Sequence, residues 1–111
     1  MSIIEFKGNN ASSYSAKGIA RVINNVKDLE LTSESDILVL ADSTPLMVPY
    51  LVKSRGFVAE TGGLLSHICI VAREFEKACV CNVKDARELI KNGDEIEIDG
   101  KNGAVRIFRG D

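Results

Sequence analysis

The apolar positions of this chain change period several times, and each change predicts an element. Residues 36–41 (DILVLA) are a nearly continuous apolar run bounded by Ser and Asp, the pattern of a strand buried on both faces. Residues 56–59 (GFVA) and 78–83 (ACVCNV) read as two more short strands. Residues 18–26 (GIARVINNV) suit a strand followed by a turn. Residues 66–75 (SHICIVAREF) read as a helix, with Ser66 in the N-cap position and Ile70, Val71 and Phe75 on one face. Residues 85–92 read as a second helix, opened by an acidic residue and stopped by Gly93. In STPLMVPYLVKS, Ser43 or Thr44 can cap a helix and Pro45 suits its first turn, while Pro49 predicts a short or broken one. Residues 94–98 and 104–108 alternate apolar and polar around DGKNG, which is hairpin chemistry. The first dozen residues turn polar after Phe6 and read as a loop. Strands and helices alternate in the middle and an antiparallel pair ends the chain. The expected fold is α/β, with a mixed sheet, flanking helices and a C-terminal hairpin, as one domain over residues 1–111.

Composition narrows the function. The 111 residues carry 14 Lys and Arg against 16 Asp and Glu, a net charge of -2. No excess positive charge is available to neutralise phosphates, so neither nucleic acid nor a membrane surface is an expected partner. No apolar run is long enough to span a bilayer and the N-terminus has no signal-peptide pattern, so a cytoplasmic location is expected. The three cysteines, Cys69, Cys79 and Cys81, are odd in number and fit free thiols in a reducing compartment.

The chain has a single histidine, His67, in the run Thr61-Gly62-Gly63-Leu64-Leu65-Ser66-His67. Two glycines permit close backbone approach to a ligand. The following helix begins with N–H groups that lack intrahelical partners and, with the helix dipole, favour an anion. A histidine in the first turn holds its imidazole, a nucleophile, beside those donors. A phosphoryl group on the ring would meet them, and one hard transfer would become two easier ones. A lone histidine is also compatible with a purely structural or surface role, and paired glycines with a simple turn.

TGGLLSHICIVARE resembles the signature of the phosphohistidine, or swivelling, domain of phosphoenolpyruvate (PEP)-utilising enzymes. This is the mobile domain of pyruvate phosphate dikinase, phosphoenolpyruvate synthase and Enzyme I of the sugar phosphotransferase system. SSYSAKGIARVI, DILVLADSTPLMVPYL and IKNGDEIEIDGKNGAVRI resemble further family segments in the family's order. The resemblance implies a swivelling β/β/α fold and a phosphoryl-carrier role in a kinase- or dikinase-type phosphotransferase. His67 falls on the carrier histidine, and Gly62, Gly63, Leu65 and Ser66 fall on the loop that would cradle the phosphate. It further implies that this chain binds no cofactor itself. Mg²⁺ with ATP or PEP is expected on a partner: an ATP-grasp-type nucleotide-binding domain, a PEP/pyruvate-binding domain, or both, on a separate chain. Two departures stand out: Leu65 replaces the Thr of several members, and Lys77-Ala78 replaces the usual Ile-Pro.

Other clusters carry less. Arg73 sits about 9 Å further along the helix axis than His67, and a structural ion pair is the expected role. His67-x-Cys69 and Cys79-x-Cys81 offer four zinc-ligand types, but two residues on a helix diverge by about 200° and the spacings miss the usual zinc pattern. No metal site is expected, and the thiols read as buried and inert. The acidic run of Asp94, Glu95, Glu97 and Asp99 reads as a solvated edge. The alternative to a carrier is a non-catalytic docking or regulatory module with the same fold. A swivelling fold in a different chemistry, such as dehydration, is a third reading, and the intact Gly-Gly-x-x-Ser-His segment argues against it.

Overall fold

The computed structural model describes residues 2–63 and 65–110. The chain forms β1 (Ser2–Lys7), β2 (Asn9–Asn10), β3 (Ser15–Val22), α1 (Val26–Leu29), β4 (Asp36–Leu40), a 3₁₀ turn (Pro45–Met47) running into α2 (Val48–Lys53), β5 (Gly56–Ala59), α3 (His67–Glu74), β6 (Ala78–Cys81), α4 (Ala86–Leu89), β7 (Glu95–Asp99) and β8 (Ala104–Arg109). The strand order is β1-β8-β7-β3-β4-β5-β6-β2. Strands β3, β4, β5 and β6 run parallel. Strands β7, β8 and β1 add antiparallel partners on the far side of β3.

Strands β4, β5 and β6 are buried at every position, as their apolar runs require. Their side chains divide between two cores with the two-residue period of a strand. Leu38, Leu40, Phe57, Ala59, Cys79 and Cys81 face the helices, where Leu51 of α2 and Ile68, Val71 and Ala72 of α3 cover them. Ile37, Val39, Val58, Ala78 and Val80 face the other way and meet Ile96 and Ile98 of β7 and Val105 and Ile107 of β8. The sheet therefore curls over itself, and the layers read β/β/α. The mixed α/β fold expected from the sequence is the observed one.

Three local expectations change. The N-terminal dozen is not a loop throughout: β1 pairs with β8 from Ser2↔Arg109 to Lys7↔Ala104, and β2 pairs with β6. Ile4 and Phe6 pack against the β/β core, and that tertiary burial forms the strand. The helix expected at 85–92 shortens to Ala86–Leu89, because Ile90 is already extended and buried in the β/β core. A capped turn of helix, α1, follows β3 where only a turn was expected. There Asn25 accepts from the Lys27 N–H and Asp28 closes the capping box. Pro49 shortens the helix after Pro45, as the sequence indicates.

Gly8 joins the two edges. It lies between β1 on one edge strand and β2 on the other, and its N–H donates to the Gly103 carbonyl at 2.8 Å. A Cβ there would stand 2.4 Å from the Cys81 carbonyl oxygen, so only glycine lets the backbones approach this closely.

Two charges tie strand ends. The Asp36 carboxylate is buried and accepts from Arg21 Nε and from the Ser33 N–H at 2.9 Å. Asp36→Ala leaves both donors without their acceptor, and an expected loss of about 2–4 kcal/mol is measured by urea unfolding. Asp94 accepts from Arg109 Nη2 at 2.8 Å, and this hydrogen bond holds its carboxyl below the ordinary carboxylate range. A depressed folded pKa gives stability that is complete above the unfolded value, near pH 4, and is lost as pH falls through the folded value. Asp94→Asn is therefore expected to flatten the acid limb of a stability–pH curve below about pH 4, as followed by thermal melts.

Candidate functional site

The loops after β4 and β5 leave the carboxyl ends of adjacent parallel strands, the position where open α/β sheets place their sites. They are stitched to each other. The Glu60 N–H donates to the Leu40 carbonyl at 3.0 Å, and the Thr61 N–H and hydroxyl both donate to the Ala41 carbonyl, at 3.1 and 2.9 Å. This fixes Asp42 and Ser43 beside the segment leading to His67.

His67 opens α3 and is half-buried. Its Nδ1 lies 2.7 Å from the Ser43 hydroxyl oxygen. Ser43 is itself buried, and its N–H donates to Asp42 Oδ1 at 2.8 Å. With Nδ1 engaged, Nε2 is the ring nitrogen without a hydrogen-bond partner among the described residues. Thr44, not Ser43, takes the N-cap position of the 3₁₀ turn, and Ser43 is left to hold the imidazole. Sequence reasoning noticed Ser43 only as a helix cap. Its position just past a doubly buried parallel strand was the signal that could have found it.

The other expected loop residues surround the start of α3. Gly62 has φ +111°, a conformation that L side chains rarely adopt, and a Cβ there would lie 2.9 Å from Ser66 Oγ and 3.5 Å from Cys81 Cβ. The backbone conformation is what requires glycine. Gly63 faces open space, and its carbonyl accepts the Ser66 N–H at 3.0 Å. Leu65 is 87% exposed, and Leu64 lies outside the described residues. Ser66 is the N-cap by position, but its hydroxyl makes no capping bond, and its buried Oγ has no hydrogen-bond partner. The first amides of α3 are not satisfied by the usual side-chain cap.

The three thiols come together behind this turn, on the helix-facing side of β6. Cys69 and Cys81 place their sulfurs 3.3 Å apart, with Cys79 in the same buried cluster. Hydrogen bonding with Cys79, opposed by burial, then bonding with Cys81 and the charge of Arg73 draw the Cys69 thiol down to about 5. Burial first, and then the bond to Cys69, push Cys81 up to about 12. Cys79 is raised well above its ordinary value, first by the bond to Cys69 and then by burial. Among the described residues, no group of three or more His, Cys, Asp or Glu is arranged to hold a metal ion. Arg73 donates to the Ala11 carbonyl at 3.1 Å, which ties α3 to the segment before β3. No helix among the described residues is long and apolar enough to cross a membrane.

Residues 32–103 match the family profile described as "PEP-utilising enzyme, mobile domain". The chain is 40% identical over 92 residues to a rifampicin phosphotransferase of Bacillus subtilis, covering 83% of this chain and 10% of that protein. It is 35% identical over 99 residues to a probable phosphoenolpyruvate synthase of Methanothermobacter thermautotrophicus, covering 89% of this chain and 14% of that protein. Among solved structures, an NMR structure of Enzyme I aligns with TM-score 0.63 and 26% identity, over 80% of this chain and 35% of that one. Thermococcus kodakaraensis aconitase X shares the fold at TM-score 0.74 and 17% identity, over 96% and 99% of the two chains.

Replacing Ser43 by Ala removes the partner of Nδ1 while leaving the backbone free to keep its course. ¹⁵N NMR of the neutral imidazole is expected to show one dominant tautomer in the parent and a mixture in Ser43→Ala. Identical ring-nitrogen shifts in the two proteins would show that Ser43 does not orient the ring.

Proposed function

The chain belongs to the mobile-domain family of PEP-utilising enzymes, and on that premise we propose that it is a phosphoryl carrier working through Nε2 of His67. The observation that carries this reading is the 2.7 Å contact between His67 Nδ1 and Ser43 Oγ at the first residue of α3. If Nδ1–H donates to Ser43, the lone pair resides on Nε2. That nitrogen attacks the phosphorus of a donor. An N–P bond forms, the P–O bond to the donor breaks, and the leaving oxygen keeps the electron pair. The second transfer reverses the sense: an acceptor oxygen attacks phosphorus and the N–P electrons return to Nε2.

The residues around His67 suit the intermediate. Three anionic oxygens on Nε2 gain from the uncapped amides at the start of α3 and from the helix dipole. Gly62, Gly63, Leu65 and Ser66 shape the backbone there, and Ser66 Oγ is a buried hydroxyl with capacity to spare. Ser43 is a positioning residue: it selects the tautomer and fixes the ring plane.

The donor and acceptor sites belong to other domains. The chain spans 10% and 14% of the length of the two curated relatives above. ATP or PEP and its Mg²⁺ are assigned to a nucleotide-binding or PEP-binding partner, where the metal supplies charge neutralisation of the transferred group. Leu46 and Leu65, each 87% exposed, follow Ser43 and precede His67 closely in the chain. Apolar side chains at such positions suit a face that is covered when the donor domain closes over the histidine and excludes water.

The test uses purified protein and His67→Ala in lysate of the organism that makes it, with labelled ATP and, separately, labelled PEP. Acid-labile, base-stable label is expected on the parent and none on His67→Ala, with circular dichroism unchanged. Equal labelling of both proteins, acid-stable label, or no label from either donor would reject the carrier reading. Stable binding of a partner by both proteins without label would favour the docking module.

A further inference from the structure

The thiol cluster lies outside the phosphoryl chemistry but shares its first helical turn. We propose that Cys69 and Cys81 are a redox modification site, a dithiol that a peroxide converts to a disulfide and that, in doing so, disarms His67. The second half of this statement rests on the carrier reading.

Geometry carries the inference. The two sulfurs are 3.3 Å apart, one on α3 and one on β6. A disulfide bond is about 2.05 Å long, so roughly 1.3 Å of closure is needed. Both residues point into the same helix-facing core, so neither has to rotate out of it. Cys79 is also on that side of β6, but a pairing of Cys79 with Cys81 would join two residues of one strand. The lowered Cys69 thiol and the raised Cys81 thiol assign the roles: Cys69 is the nucleophile and Cys81 the protonated resolving partner. All three cysteines are fully buried, so peroxide reaches Cys69 through local opening at the start of α3.

The steps balance. The Cys69 thiolate attacks one peroxide oxygen; an S–O bond forms and the O–O bond breaks, giving a sulfenic acid and hydroxide, which recovers the proton lost earlier by Cys69. The Cys81 sulfur then displaces the sulfenic oxygen, which leaves as water with the Cys81 proton. Overall the dithiol loses two protons and two electrons, and one peroxide becomes two waters.

The effect on His67 follows from position. Cys69 lies two residues after His67, and Asn82, next to Cys81, donates its N–H to the Thr61 carbonyl at 3.2 Å, at the start of the histidine loop. Drawing α3 towards β6 displaces the turn that sets the His67 ring against Ser43, a contact with little slack at 2.7 Å.

The test treats the folded protein with hydrogen peroxide, blocks remaining thiols with N-ethylmaleimide in denaturant, and maps tryptic peptides. Cleavage after Arg73, Lys77 and Lys84 separates Cys69 from the peptide holding Cys79 and Cys81. A Cys69–Cys81 cross-link is expected in the parent and in Cys79→Ala, and none in Cys81→Ala or Cys69→Ala. Phosphoryl uptake by the oxidised parent is expected to fall at least tenfold and to return with dithiothreitol, while Cys81→Ala keeps its uptake through the same treatment. Three free thiols, a cross-link through Cys79, or an oxidised parent with undiminished uptake would overturn the proposal. A cross-link formed in a protein whose reduced form never takes up phosphate would count against the carrier reading alone.

Discussion

Everything at the site depends on three parallel strands buried on both faces. Ile37, Leu38, Val39, Phe57, Val58, Ala59, Cys79, Val80 and Cys81 have no exposed surface at all. Alternate residues on each strand serve opposite cores, so no strand can slip by one position without exchanging its helix-facing and sheet-facing side chains. That rigidity is transmitted to the strand ends. The Leu40 and Ala41 carbonyls receive the backbone of Glu60 and Thr61, and the hydroxyl of Thr61 doubles the second contact. Ser43 and His67 are 24 residues apart in sequence, yet they meet because the strands they follow are neighbours in fixed register.

Closure of the sheet is the second constraint. The N-terminal strand pairs along β8 and then, past Gly8, crosses to β6 at the opposite edge. Both edges are thereby covered by the same short segment, which leaves fewer unpaired backbone groups for association. Closure also brings the segment of Gly8 to Asn10 against Cys81, next to Asn82, whose N–H donates to the Thr61 carbonyl of the histidine loop. The end of β6 is thus gripped between the N-terminus and the histidine loop.

The central strands were legible in the sequence because a continuous apolar run decides them; α3 was legible as a helix behind Ser66 but not by its buried face, since Ile70 and Phe75 are exposed and Ile68, Cys69, Val71 and Ala72 are buried. The hairpin was legible from alternation around DGKNG. What was not legible has a common cause. Strand β1 carries a weak pattern of its own and is held by Ile4 and Phe6 meeting side chains from the far end of the chain. The shortening of α4 follows from Ile90 being taken into the same core. At the site, the histidine and glycine loop are contiguous in sequence and could be read, while Ser43 arrives through tertiary pairing and has no local signature. The cysteines show the same division. Their shared face on β6 follows from the two-residue period, but the approach of Cys69 follows from how α3 crosses β6.

A hydroxyl on Nδ1, where many histidine sites place a carboxylate, has a consequence for the proposed carrier. A carboxylate stabilises the imidazolium and so favours protonation of the ring. For a ring that must present an Nε2 lone pair, protonation removes the nucleophile. For a ring already phosphorylated, protonation makes it the better leaving group and invites loss of the phosphoryl group to water. Ser43 orients the ring without adding a negative charge: it accepts from Nδ1–H in the free ring, and its hydroxyl can donate to Nδ1 once the phosphorylated ring has released that proton. Asp42, the nearest carboxylate in the chain, is bonded to the Ser43 N–H. The acid is thus engaged by the Ser43 backbone and not by the imidazole. This arrangement fits a histidine that has to hold a phosphoryl group long enough to travel, and then release it to a chosen acceptor.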